Sequence, residues 1–453
     1  MSENAKNDRM KMMAELPIPK VLVKMSLPIM VSFFIQAMYN IVDSMFVARI
    51  SENALTAVSL AFPMQQIVTA IAVGTSTGVS AVWSRKMGLG DKEKASASIR
   101  TMTGISLAFS VIFVFLGLFA AGPLYGIQTN VEEIARMGTT YLMINWCLSF
   151  GSIFSKYYEK LLVSAGHATL SMLSMAAGAV FNLIFDPLLI FGIGPFPEMG
   201  IAGAAYAMVG GQIFSMIIAI LLNMKYCEPV KKDMLVPAYH PGAAREIFRV
   251  GLPSIITMGL SSMVSFSINQ ILLTYSTTAT AVYGIWMKLQ NFSFMPVFGL
   301  NNGMVPIISY NYGKGRNDRV RETLSLAIKA VGVLMVLLVV IFELIPGAIL
   351  AAFNAGEMMR EIGLVCIRAC VVSLPFGAIA MIQATGMQAL DHARYALTVN
   401  MLRQCVFLIG SFALLSVLFH DIKLIWLAVP ITDISVFLIC CLFYRKFKKK
   451  LGI

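Results

Sequence analysis

Twelve apolar runs follow one another along the chain, at roughly 25–48, 54–82, 101–122, 136–158, 169–193, 200–224, 250–274, 279–309, 324–347, 362–388, 395–418 and 424–444. Each reaches about the 20 residues that a helix needs to cross the hydrocarbon core. In lipid every backbone N–H and C=O must be satisfied within the protein, so serial apolar runs of this kind fold as spanning helices. None of the loops between them is long enough for a separate soluble domain. Composition agrees: 58% of residues are hydrophobic and 13% charged, where a soluble domain has about 25% charged. An ordinary soluble enzyme, a disordered chain and a disulfide scaffold are excluded. The expected fold class is an all-α polytopic membrane protein with twelve transmembrane helices. The eighth run holds Pro296 and Pro306 and is expected to bend.

The chain carries 35 Lys and Arg against 23 Asp and Glu, a formal net charge of +12. An excess of this size raises the question of nucleic acid, and the placement of the charges answers it. Basic residues gather on one set of alternate loops: the tail 6–24, the loop 85–100, Lys156 and Lys160, the stretch 225–249, the loop 314–329, Arg394 and Arg403, and the tail 445–450. The opposite loops hold only Arg49, Arg136, Arg360 and Lys423. By the positive-inside rule both termini face the cytoplasm. The partner of the basic collar is the lipid bilayer, not nucleic acid. The expected organisation is a cytoplasmic tail (1–24), a first lobe of six helices (25–224), a cytoplasmic linker (225–249) holding Pro229, Pro237 and Pro241, a second lobe of six helices (250–444) and a basic tail (445–453). No cleavable signal peptide is visible, because the run from Met25 is too long for one. Seven cysteines without a C-x-x-C read as apolar filler.

Slid against itself by 225, the chain repeats. Leu27-Pro28 falls on Leu252-Pro253, Gly74 and Gly78 on Gly299 and Gly303, Gly88 and Gly90 on Gly313 and Gly315, Gln65 on Gln290, and His167-Ala168 on His392-Ala393. Gly and Pro fix backbone shape, so these matches read as a duplication. With six spans per copy both copies enter the membrane in the same sense. The expected architecture is two six-helix bundles related by a parallel pseudo-two-fold repeat, as in many transporters. The G-x-x-x-G spacing at Gly74/Gly78 and Gly299/Gly303 allows close helix approach.

Several chemistries are missing. There is no G-x-x-x-x-G-K-[ST], no H-E-x-x-H and no G-x-S-x-G. His167, His240, His392 and His420 are scattered, so no metal centre is expected. The chain reads as a transporter rather than an enzyme, without a resident cofactor, driven by an ion gradient or passive.

Ionisable residues inside spans are candidates for function. They are Asp43, Asp186, Lys288, Glu343, Arg368 and Asp433. Glu343 and Arg368 lie near an interface, where they snorkel. Lys288 and Asp433 read as structural charges, with Lys288 paired to an acceptor such as Asp433 or a backbone carbonyl. On the first span Gln36, Asn40 and Asp43 stand at i, i+4 and i+7, one helix face. On the fifth Asn182 and Asp186 stand at i, i+4. An amide and two carboxyls offer hard oxygen ligands for a small cation or a place for protons. At offset 225 Gln36, Asn40 and Asp43 meet Ser261, Ser265 and Ile268, while Asn182 and Asp186 meet Phe407 and Ser411. The second copy loses every one of these carboxyls, so the cation site is expected in the first lobe alone.

The segments "FNLIFDPLLIFGIGPFPEMGIAGAAYAMVGGQ", "LPIMVSFFIQAMYNIVDSMFVARI", "FPMQQIVTAIAVGTSTGVSA" and "VYGIWMKLQNFSFMPVFGL" resemble the MATE (multidrug and toxic compound extrusion) family, nearest its MepA/DinF-like branches. The resemblance covers nearly the whole chain. It implies twelve helices in two bundles and antiport of organic cations against Na⁺ or H⁺. Carried over residue by residue, the family's coupling site falls on Asp43, Asn182 and Asp186. Met208 stands where some members have a helix-six Thr, and no Glu stands near Ser261 where NorM-type members have one. Pro28 matches the proline at which helix one is proposed to bend. The substrate cavity is expected at Gln36, Tyr39, Asn40, Ser261 and Ser265, with methionines adding adaptable surface. The expected protein is a monomeric exporter of organic, cationic small molecules in the plasma membrane. The rival readings are a lipid-linked oligosaccharide flippase of the same superfamily, which needs a basic cavity for pyrophosphate, and a membrane-embedded transferase, for which no catalytic set stands out.

Overall fold

The computed structural model describes residues 12–13, 15–352, 356–419 and 421–451. The described residues are helical throughout and contain no strand. In chain order the helices are α1 (Ile18–Ala48), α2 (Glu52–Leu89), α3 (Lys92–Phe119), α4 (Ala121–Gln128), α5 (Glu132–Cys147), α6 (Phe150–Ser164), α7 (Ala168–Phe191), α8 (Ile201–Tyr226), α9 (Glu228–Lys231), α10 (Pro241–Leu273), α11 (Thr277–Gly313), α12 (Asn317–Leu344), α13 (Pro346–Ala352), α14 (Glu357–Val371), α15 (Leu374–Ala389), α16 (Ala393–Met401), α17 (Ile409–Phe419), α18 (Ile422–Ile425) and α19 (Ala428–Leu451). A π-helical turn, Leu402–Leu408, joins α16 to α17.

Nine described helical stretches are long and apolar enough to cross a membrane, and the pair α14/α15, bent by 43°, makes a tenth. The two remaining predicted runs differ for identifiable reasons. The run at 136–158 is broken at Leu148 and Ser149 into α5 and α6. The run at 279–309 is one helix of 37 residues, α11, and Lys288, Gln290, Asn291, Asn301 and Asn302 dilute its apolar character.

The offset of 225 reappears in the element boundaries. Helices α3 and α12 begin and end at corresponding positions, α5 and α14 begin at corresponding residues, and so do α7 and α16. The fourth span of each copy breaks at the same place, at Leu148 and at Ser373. Gly90 and Gly315, which follow α2 and α11, both hold positive φ (79° and 70°), the left-handed geometry that closes a helix.

The chain forms two compact units, Met1–Ile255 with Ser309–Lys314, and Ile256–Ile308 with Gly315–Ile453. In the first, α3 shows the packing that lipid demands. Leu107, Val111, Ile112, Phe115, Leu118 and Phe119 are exposed, while Ser98, Thr101, Ser106 and Ser110 are buried. Small polar residues let helices approach and apolar ones face lipid. The core gathers Tyr125, Tyr141, Trp146 and their neighbours, and the Tyr125 hydroxyl donates to Ala57 O at 2.7 Å. Gly74 and Gly78 meet the predicted role: each lies against the backbone of α10, at Gly251 and Ile247 respectively. The stretch expected as a plain linker is fastened to this unit. Arg100 Nε pairs with Asp233 Oδ1 at 2.7 Å, and Thr103 and Tyr158 both donate to Met234 O.

In the second unit α12 repeats the outward pattern with Val333, Val336, Leu337, Val340 and Leu344 exposed. Its interior holds Tyr283 and Phe412 edge to face, with ring centroids 6.0 Å apart.

Candidate ion-coupling site

The first unit brings the fifth-span pair together with the first-span acid. Helix α7 packs closely on α8 because glycines face each other there. A Cβ on Gly178 would stand 2.6 Å from Gly211 O, and one on Gly211 would stand 2.7 Å from Gly178 O and 3.2 Å from Asn182 Cβ. This seam sets Asn182 and Asp186 in the interior, 3% and 0% exposed. Asn182 Nδ2 donates to Asp186 Oδ1 at 3.2 Å. Asp43, half-buried on α1, lies within hydrogen-bonding reach of the Asp186 carboxyl.

Two acceptors in this cluster, Asn182 Oδ1 and Asp186 Oδ2, are buried with no hydrogen-bond donor among the described residues. Buried acceptors lacking partners are unusual, and their chemistry suits a proton or a small hard cation as cargo. Around them lies a second layer. Gln65 Nε2 donates to Tyr141 Oη at 3.3 Å, Tyr141 Oη donates to Met208 Sδ at 3.4 Å, and Gln65 Nε2 reaches Met208 Sδ at 3.7 Å. Tyr141 is within electrostatic reach of both Asp43 and Asp186. Met208 therefore fills the helix-six position with a soft sulfur contact in place of a hydroxyl ligand. Tyr141 was not singled out by sequence, and Gln65 only as the repeat mate of Gln290. An aromatic residue in an apolar run gives no signal of its own.

The other predicted positions are dispersed. Gln36 is half-buried, and the side chains of Tyr39 and Asn40 lie outside the described residues. Ser265 is half-buried, and Ser261 is exposed and accepts from Gln404 Nε2 at 3.0 Å. Pro28 sits within α1, where Ser32 Oγ donates to the Pro28 carbonyl at 2.9 Å. Lys288 is exposed rather than buried. The expected partnership of Lys288 with Asp433 is corrected: Asp433 pairs with Arg403, whose Nε lies 2.9 Å from Asp433 Oδ1. Arg403, which its charge groups with the loop residues, stands within the π-helical turn. Glu343 and Arg368 pair at 3.8 Å with side chains well exposed, as expected of interfacial charges.

The family model described as MatE matches the chain twice, over residues 28–188 and 253–412, two copies set apart by the same 225 residues. The chain belongs to the MatE family. It is 26% identical to a FAD transporter of Shewanella oneidensis, over 94% of each protein. It is 24% identical to the multidrug export protein MepA of Staphylococcus aureus, over 93% of this chain and 92% of that one. A solved MOP-superfamily transporter from Pyrococcus furiosus shares the fold, with a TM-score of 0.89 at 23% identity over 98% of each chain. This MATE protein is thus a polytopic membrane transporter, with its two matched copies spanning both bundles.

Proposed function

We propose that this MATE protein is an antiporter that exports organic, cationic small molecules across the plasma membrane by alternating access, with both termini cytoplasmic and lobes at 25–224 and 250–444. Asp43, Asn182 and Asp186 take a proton or Na⁺ from outside, and the bound ion favours one conformer over the other. The observation that carries this reading is the convergence of two carboxyls and an amide inside the first unit, with two buried acceptors unmet. The second copy has no counterpart, so coupling runs through the first lobe. The test is dye efflux from vesicles with the pH gradient and the Na⁺ gradient collapsed one at a time. Efflux that survives loss of both gradients refutes ion coupling.

A second reading concerns cargo alone. The name of the Shewanella relative favours a dinucleotide, and hence an anionic substrate, on the same coupling machinery. Competition of flavin dinucleotide with a cationic dye separates the two.

A further inference from the structure

The second unit holds a charge centre of the opposite kind. On the π-helical turn, Arg403 and Gln404 are adjacent and both engaged: Arg403 Nε donates to Asp433 Oδ1 of α19 at 2.9 Å, and Gln404 Nε2 donates to Ser261 Oγ of α10 at 3.0 Å. Turns of this type are rare and gather at functional sites. Asp433 is 1% exposed and packs against Gly377 of α15, where a Cβ would stand 3.1 Å from Asp433 Oδ2. That oxygen is buried and has no hydrogen-bond partner among the described residues.

Arg403 is surrounded by helices of its own unit. Asp433 lies on α19, Tyr283 of α11 is within electrostatic reach, and the neighbouring Gln404 reaches α10. Its side chain nevertheless keeps 29% exposure, and its terminal nitrogens donate to no described residue. A guanidinium fixed at Nε keeps its other edge, with two parallel N–H groups, clear of Asp433. That edge matches a carboxylate or phosphate bidentately, and a lysine cannot replace it. A staple between helices needs no such open edge, since well-packed apolar residues replace buried ion pairs without loss of stability in many proteins. The position itself is telling. Asp433 is the repeat mate of Met208, so corresponding places serve a carboxyl cluster in one copy and a held arginine in the other.

We propose that Arg403, aimed by Asp433, binds the carboxylate or phosphate group of a transported organic molecule. The word transported rests on the exporter reading; the binding site stands without it. Ser261 and Gln404 form the adjoining wall, and Asp433 is a positioning residue that does not touch the ligand.

The experiment measures binding by fluorescence anisotropy on the purified full-length protein in detergent. Two probe pairs are used, rhodamine B against its ethyl ester and flavin mononucleotide against riboflavin. The members of each pair differ in the anionic group. Arg403→Gln is expected to weaken the anionic member about tenfold to hundredfold, the range for bonds to a charged group, and to leave the other member within about twofold. A response in the flavin pair alone assigns a phosphate ligand, and one in the rhodamine pair alone a carboxylate. Equal weakening of both members, or no change in either pair, overturns the proposal. Asp433→Asn keeps the guanidinium and loosens its aim, so the preference for the anionic member should fall partway; an unchanged preference removes Asp433 from the site. Should Arg403→Gln fail to fold on melting, Arg403→Lys carries the test. It keeps the charge and loses the fork, and an undiminished preference there overturns bidentate recognition. Gradient-driven efflux of the rhodamine ester by the wild type is measured separately. A protein that binds the anionic probes and moves nothing refutes the exporter reading and leaves this site in place.

Discussion

Replacing Gly211 by alanine tests the seam that places the proposed coupling residues. The added methyl would stand 2.7 Å from Gly178 O and 3.2 Å from Asn182 Cβ. Ordinary contacts at such a carbon begin near 3.4 Å, so α7 and α8 must part by about 0.7 Å. Overpacking of this kind costs about 1–3 kcal/mol. Asn182 and Asp186 both ride on α7, so they shift together relative to Asp43 on α1. Misplacement by about 1 Å lowers the rate of a positioned step by up to about a hundredfold, and a tenfold fall in coupled efflux is the expected scale. Gly410→Ala is the control, because nothing lies within 4 Å of a Cβ there. Helix propensity alone makes that change neutral or favourable by up to about 1 kcal/mol. Melting of the purified protein in detergent reads the packing, and efflux from proteoliposomes reads the site. If Gly211→Ala melts and exports like the wild type while retaining its fold, the glycine seam does not set the geometry of the site.

Asp186→Asn and Asp43→Asn should each abolish gradient-driven efflux in a folded, inserted protein, and wild-type efflux in both would refute the coupling assignment. Since a proton and Na⁺ would share Asp43, Asn182 and Asp186, saturable Na⁺ binding should weaken on acidification; binding indifferent to pH would refute a shared site. Tyr141→Phe removes the hydroxyl that joins Gln65 to Met208, and it should shift the ion dependence of efflux while costing roughly 1 kcal/mol in melting stability. Lys288→Met should change stability by less than about 0.5 kcal/mol, because Lys288 is exposed; a larger loss on melting would restore its role as an anchor.

The parts legible in sequence are those where polarity or backbone shape breaks an apolar background. Asn182 and Asp186 stand out because two polar groups at i, i+4 in such a run have no solvent to meet. The duplication was visible because Gly90 and Gly315 stand at fixed places past helix ends, where both hold positive φ after α2 and α11, and because Gly88 and Gly313 recur two residues before them. Tyr141 escaped notice because it is ordinary apolar filler until its neighbours are known, and Met208 stood out only through the family resemblance. Arg403 was misread for a different reason. It follows Asp391, His392 and Arg394 closely, and charges near a loop are counted with the loop. The residue that π winding adds to the turn leaves no mark on a periodicity judged by eye. The break at Leu148 and Ser149 was hidden by the apolar residues on both sides of it.

The first unit reaches forward along the chain for its last piece. Asn311 Nδ2 donates to Met13 O at 2.9 Å, 298 residues earlier, and the backbones at Gly88 and Gly313 meet with no room for a side chain on either. During synthesis, then, α1 to α8 can enter the membrane and pair in order, but that end of the first unit stays open until residue 314 has left the ribosome. Its buried Met12 and Met13 await a partner through the insertion of two further spans. Maturation of the first unit is therefore timed by the second: a nascent chain halted before Ser309 holds Asp43, Asn182 and Asp186 and still lacks the segment that closes the Met13 and Gly88 end of that unit.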